Sequence, residues 1–132
     1  MATTKCTLLK GVNRKGCCDL CAKKLGPKRK RWCSDKCSKT YYDNHYYRYA
    51  RKAVRRRDKY RCSVTGCGSR ERLEVNHIVP CKQNHNVMGC WHHLSNLELI
   101  CHDHHVQATK LQRENGDFDG PHPRQKPRRK KC

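Results

Sequence analysis

The stretch from Leu73 to His105 concentrates side chains able to bind metal and move protons. It opens Leu73-Glu74-Val75-Asn76-His77-Ile78-Val79-Pro80 and closes Leu94-Ser95-Asn96-Leu97-Glu98-Leu99-Ile100-Cys101-His102-Asp103-His104-His105. A neutral imidazole such as His77 is a competent base near neutral pH. Upstream, Cys18 and Cys21 precede Cys33 and Cys37 by 11 intervening residues. The C-x2-C and C-x3-C pairs form a strong tetrahedral zinc signature, which predicts a structural zinc on Cys18, Cys21, Cys33 and Cys37. Cys17 competes with Cys18 for the first position, and the shorter spacing favours Cys18.

The opening segment alternates, is β-branched and ends at Pro80, so it reads as a short strand. Leu97 to Ile100 reads as its antiparallel partner. A helix should follow, with Asp103 as N-cap and Asn115-Gly116 as its stop. Strand, long loop, strand and helix would bring His77, Asn96 and His105 to one place. Upstream, Ser38 to Tyr60 reads as one helix, on which Tyr42, Tyr46, Tyr49 and Ala53 make an apolar stripe. Packing against the zinc finger is preferred for these tyrosines over base stacking. Arg48, Arg51, Lys52 and Arg55 share another face and run on into Arg56. Acidic partners at helical spacing are too few, which assigns this face to a phosphate backbone. Lys28, Arg29, Lys30 and Arg31 form an exposed basic loop between the two cysteine pairs.

From His77 onward the chain resembles the HNH nuclease family, whose three lettered positions fall on His77, Asn96 and His105. The family pattern Leu-x-Asn-Leu, three residues, Cys-x-x-Cys-His is matched by Leu94 to Leu97, then Cys101, then His104-His105, with His104 in place of the second Cys. The resemblance covers roughly Cys18 to Asn115, because some members carry a small zinc finger ahead of the module. It implies a small, metal-stapled α+β fold, a ββα-metal module at 61–116 preceded by a finger at 1–37 and a basic helix at 38–60. It also implies a second structural zinc on Cys62, Cys67, Cys101 and His104, with the first knuckle widened to C-x4-C. His77 would be the general base, with Asn96 beside it. One catalytic divalent ion (Mg, Mn or Ni) would be held by Asn76 and by Asn96 or His105. The implied reaction is hydrolysis of double-stranded DNA to 5′-phosphate and 3′-hydroxyl ends, in a phage or other mobile element. Most relatives carry Asp before the catalytic His. Asn76 is neutral, so the expected metal preference is Mn²⁺ or Ni²⁺ over Mg²⁺.

Global composition agrees with a stapled nucleic-acid protein. The 132 residues are only 35% apolar, cysteines included, and carry 12 Cys and 9 His. Such a chain needs metal or disulfide staples, and without a signal peptide between Met1 and Gly11 the cysteine pairs read as zinc sites. An intracellular location is expected, in bacterial cytoplasm or a eukaryotic nucleus, with no membrane span. Net charge is +20, divided as +15 over 1–60, −1 over 61–120 and +6 over 121–132. Solubility requires no such excess, whereas phosphate neutralisation does. The segment 117–132, rich in Pro, Arg and Lys, is expected to be a disordered DNA arm or import signal. Cys6 stands alone as a buried or free thiol. Cys81 and Cys90 bracket a substrate-facing loop, and no spacing supports a third site with His85, His92 or His93. Two other classes remain: a zinc-stapled nucleic-acid binder without catalysis, and an accessory subunit of a phage or host DNA-processing machine.

Overall fold

The computed structural model describes residues 6–81 and 84–117, so most of the tail expected at 117–132 lies outside the described residues. They form a small α+β unit of three helices and one two-stranded antiparallel sheet. The elements are α1 (Asp35–His45), α2 (Tyr47–Arg57), β1 (Leu73–His77), β2 (Leu97–Cys101) and α3 (His102–Glu114), with 3-10 turns at Cys90–His92 and Leu94–Asn96. None of the described helices is long and apolar enough to cross a membrane.

The segment expected as one helix from Ser38 to Tyr60 is two. α1 begins earlier, at Asp35, where the Ser34 hydroxyl accepts from the Cys37 N–H at 3.2 Å and Asp35 sits in the first turn. It ends at His45, because Tyr46 is extended (φ −110°, ψ 117°). No Pro or Gly marks this break. Its cause is tertiary: the His45 carbonyl, which a continuous helix would give to Tyr49, accepts instead from the Gly89 N–H at 3.0 Å. The break resets the helical phase. Tyr41 and His45 are buried on α1, and Ala50 and Val54 on α2, in place of the expected stripe. Tyr41, outside the expected stripe, is the tyrosine that packs on the finger, its ring tilted against Trp32 at 4.7 Å. Tyr42, Tyr46 and Tyr49 meet one another instead, and Tyr42 and Tyr49 are exposed.

β1 and β2 pair from Leu73 opposite Cys101 to His77 opposite Leu97. One side packs on α2, where Ala50, Val54, Leu97 and Leu99 form a core with Leu73, Val75 and Leu94 against it. A second small core joins Cys62, Ile100 and Cys101 to Ala108 of α3. β2 passes directly into α3, so the N-cap is Cys101 rather than the expected Asp103, and no side chain caps the helix. The stop is as read: Asn115 is the C-cap, and Gly116 takes φ +72°, a left-handed conformation that glycine adopts without strain. Arg57 and Asp58 tie the end of α2 to the sheet. The guanidinium donates to Asp58 (2.7 and 2.9 Å), to Leu94 O and to Leu97 O (2.7 Å each). The Asp58 carboxylate also accepts from the Leu99 N–H at 3.1 Å.

Candidate functional site

Two ligand sets read from the sequence assemble in space. Cys18, Cys21, Cys33 and Cys37 bring their sulfurs within 4.8 Å of one another, and the sulfurs of Cys62, Cys67 and Cys101 and a ring nitrogen of His104 lie equally close. Adjacent ligands of a tetrahedral zinc lie roughly 3.3–3.8 Å apart. Cys21–Cys33 is 3.4 Å and Cys33–Cys37 is 3.6 Å. In the second set Cys62–His104 is 3.5 Å, Cys101–His104 is 3.1 Å and Cys67–Cys101 is 4.0 Å. Burial raises the Cys18 thiol, but backbone donors at Cys21 and Cys33 outweigh it and the group is lowered to about 6. Its neighbour Cys33, bonded by Cys21 and Cys37, is pushed up to about 12. Lowering of Cys18 beside raising of Cys33 is a competition between thiols that a divalent cation removes. Cys17 takes no part; its backbone bridges to Lys24.

His77 ends β1 on the side that faces α2. Its ring lies 5.5 Å from Tyr47, 5.0 Å from His85 and 5.3 Å from His92. The tautomers follow from the hydrogen bonds. His92 Nε2 faces the Val87 carbonyl at 3.0 Å and must donate to it, which leaves His92 Nδ1 as an acceptor. His77 Nε2, 3.1 Å away, therefore carries the proton, and His77 Nδ1 carries the lone pair. Burial, then His85 and His92, lowers the His77 pKa to about 4, so the ring is neutral at pH 7. A groove of about 520 Å³ adjoins this cluster, lined by Tyr47, Arg48, Arg51, Lys52, Arg55, His85 and Asn86. Two of its walls, Tyr47 and His85, are ring neighbours of His77.

Asn96, Asn76 and His105 direct their side chains to partners other than His77. Asn96 is committed to backbone: its Oδ1 accepts from Val79 N–H (2.8 Å), and its Nδ2 donates to Val79 O (3.0 Å) and Trp91 O (2.9 Å). It braces the loop after β1. Asn76 neighbours His77 on the strand and so faces the opposite side. There Asn76 Nδ2 donates to Glu98 Oε1 at 2.8 Å. His105 Nδ1 is 3.0 Å and His102 Nδ1 3.4 Å from Glu74 Oε2, an oxygen that is buried without a hydrogen bond of good geometry. Asn76 itself is neutral, but carboxylates stand near it: Glu98 accepts its amide hydrogen, and Glu74 lies on the same face of β1. Sequence reading missed both, because each looked like an outward strand residue.

The expected phosphate contacts divide. Arg48, Arg51 and Lys52 are exposed in the groove, while Arg55 also donates to Leu73 O at 3.2 Å. Arg56, Lys28 and Lys30 are exposed. Arg29 pairs with Asp35 (2.9 Å), and Arg31 pairs with Asp19 (2.8 Å) and lies over the Trp32 and Tyr41 rings. Arg31 is thus part of the finger's packing.

Two cysteine expectations are overturned. Cys6 is not alone: it meets His45, Cys90 and His93 in a third group able to hold a metal ion. His77, Cys81 and His85 form a fourth, so the loop expected only to face substrate supplies ligand atoms to two groups. The chain matches no protein-family model, no curated protein and no solved structure.

Proposed function

We propose that this protein is a metal-dependent DNA phosphodiester hydrolase of the HNH kind, with its first two cysteine-rich groups loaded with structural zinc. The observation that carries the reading is the basic groove of α2, lined on one side by Tyr47 and His85, the ring neighbours of His77. Arg48, Arg51 and Lys52 hold the backbone of duplex DNA there, and the phosphate lies beside His77. The Nδ1 lone pair of His77 takes the proton of the attacking water, while His92 holds the ring through Nε2. A docked phosphate adds negative charge, which moves the His77 pKa up from about 4 toward neutrality and strengthens it as a base.

The residues beside β1 suit a divalent ion. Glu74 offers a buried oxygen without a good hydrogen bond, next to His105, and Asn76 adds a carbonyl oxygen. Asn76, Glu74 and His105 would hold the ion. An ion there would offset the charge of Glu74 and Glu98 on the α3 face of the sheet, and would reach a phosphate only where the strand ends at His77.

A second reading has its own observation. His77, Cys81 and His85 place ligand atoms within 4.8 Å of one another, so a metal there would make His77 a ligand and the protein a nucleic-acid binder, alone or within a larger DNA-processing machine. Supercoiled plasmid incubated with the pure chain and a panel of Mg²⁺, Mn²⁺, Co²⁺ and Ni²⁺ decides between hydrolysis and binding. Nicked or linear product with at least one metal is expected. Retained binding with no product under any metal would overturn the hydrolase reading.

A further inference from the structure

We infer that Cys6, His45, Cys90 and His93 form a third zinc site, which locks the start of the chain and the loop before β2 onto the end of α1. The four residues come from three separate parts of the sequence, and their ligand atoms lie within 4.8 Å of one another. Cys6 Sγ is 3.2 Å from His45 Nε2 and 3.5 Å from His93 Nε2, and the two imidazole nitrogens are 3.2 Å apart. These separations are within a few tenths of an ångström of the edges of a tetrahedral zinc with sulfur and nitrogen ligands, roughly 3.3–3.6 Å.

The surroundings select the ligand state of His45. Its Nδ1 lies 2.7 Å from the Tyr41 carbonyl and must donate to it, so Nε2 presents a lone pair to the cluster. Metal-bound histidines commonly have this arrangement, in which a carbonyl behind the ring fixes tautomer and orientation. His45 is also buried, and its ring stacks on Tyr41 at 4.2 Å. The His45 carbonyl accepts from Gly89 N–H, so the same residue anchors the loop by backbone and by side chain. Two Cys and two His are a common structural zinc set.

The site lies at the break between α1 and α2, where Gly89 N–H donates to the His45 carbonyl. It also fixes the turn Cys90–His92, and with it His92, whose Nδ1 meets His77. The inference concerns metal content and folding and does not depend on hydrolysis.

The test is metal analysis of the full chain, purified without chelator from cells grown with zinc. Wild type should hold one more zinc equivalent than Cys6→Ser. The double variant Cys6→Ser/Cys90→Ser should lose no more than the single one, and Cys6→His should keep the full content. Cadmium-exchanged wild type should give a separate NMR resonance in the range of two sulfur and two nitrogen ligands; should Cys6→Ser fail to fold, that spectrum decides. Equal zinc in wild type and a folded Cys6→Ser, absence of that resonance, or a Cys6–Cys90 disulfide in the unreduced protein would each overturn the inference.

Discussion

At the residue scale, Asn76 is the position where geometry changes the expectation most. The resemblance to the HNH family, most of whose members carry Asp at this position, leads to the expectation that Asn76→Asp improves hydrolysis with Mg²⁺. The structure adds that the new carboxylate would replace a donor now 2.8 Å from Glu98 Oε1. Like charges directly opposite on paired strands repel, here by about 1 kcal/mol. Without divalent ions, Asn76→Asp should therefore melt below wild type, and millimolar Mg²⁺ should restore it while leaving wild type little changed. Thermal unfolding with and without Mg²⁺ checks this; a deficit indifferent to Mg²⁺ would mean that no ion sits between these groups. Legibility at this scale follows sequence distance. Cys18, Cys21, Cys33 and Cys37 lie close enough in the chain for their spacing to report their geometry. Cys6, His45, Cys90 and His93 are joined only by tertiary packing, and no spacing records it. Glu74 and Glu98 were illegible for a related reason, since strand alternation shows which face they share but not that α3 brings His102 and His105 to Glu74.

At the element scale, the join between α2 and the sheet depends on Asp58. Its carboxylate is bound by Arg57 and by the Leu99 N–H, and the Arg57 bonds hold its pKa below the usual carboxylate range despite the opposing effect of burial. Replacing it with Asn removes the charged acceptor, leaves Arg57 without its counter-ion, and should cost about 2 kcal/mol. The sign with pH follows from the depressed pKa. The wild-type advantage is fully present above the unfolded value of about 3.9 and is lost as pH falls through the lower folded value. Urea unfolding of wild type and Asp58→Asn across pH should show a constant gap from neutrality to about pH 5, closing below about 4. A gap that closes already near pH 6 would point to a different group. The strands, α3 and its glycine stop were legible because their signals are local. The division into α1 and α2 was not, because its cause is the Gly89 bond to the His45 carbonyl, 44 residues away in sequence.

At the scale of the whole molecule, the uneven charge was legible, but not that its helical part opens beside His77. Arg48, Arg51 and Lys52 line that groove, whereas Arg31 and Arg55 also serve the fold. Replacing Arg48, Arg51 and Lys52 with Ala should leave thermal stability nearly unchanged. It should lower the slope of log affinity against log salt by about 3 if each neutralises one phosphate. An unchanged slope would place the DNA elsewhere on the surface.

The role of His77 is tested most directly by measuring plasmid cleavage and metal content together in His77→Ala and His85→Ala. If His77 is the base, His77→Ala holds as much zinc as wild type, binds DNA and does not cut, while His85→Ala still cuts. If both variants lose cleavage together with one zinc equivalent, His77 is a ligand of the His77, Cys81 and His85 group, and the account of it as a base is contradicted.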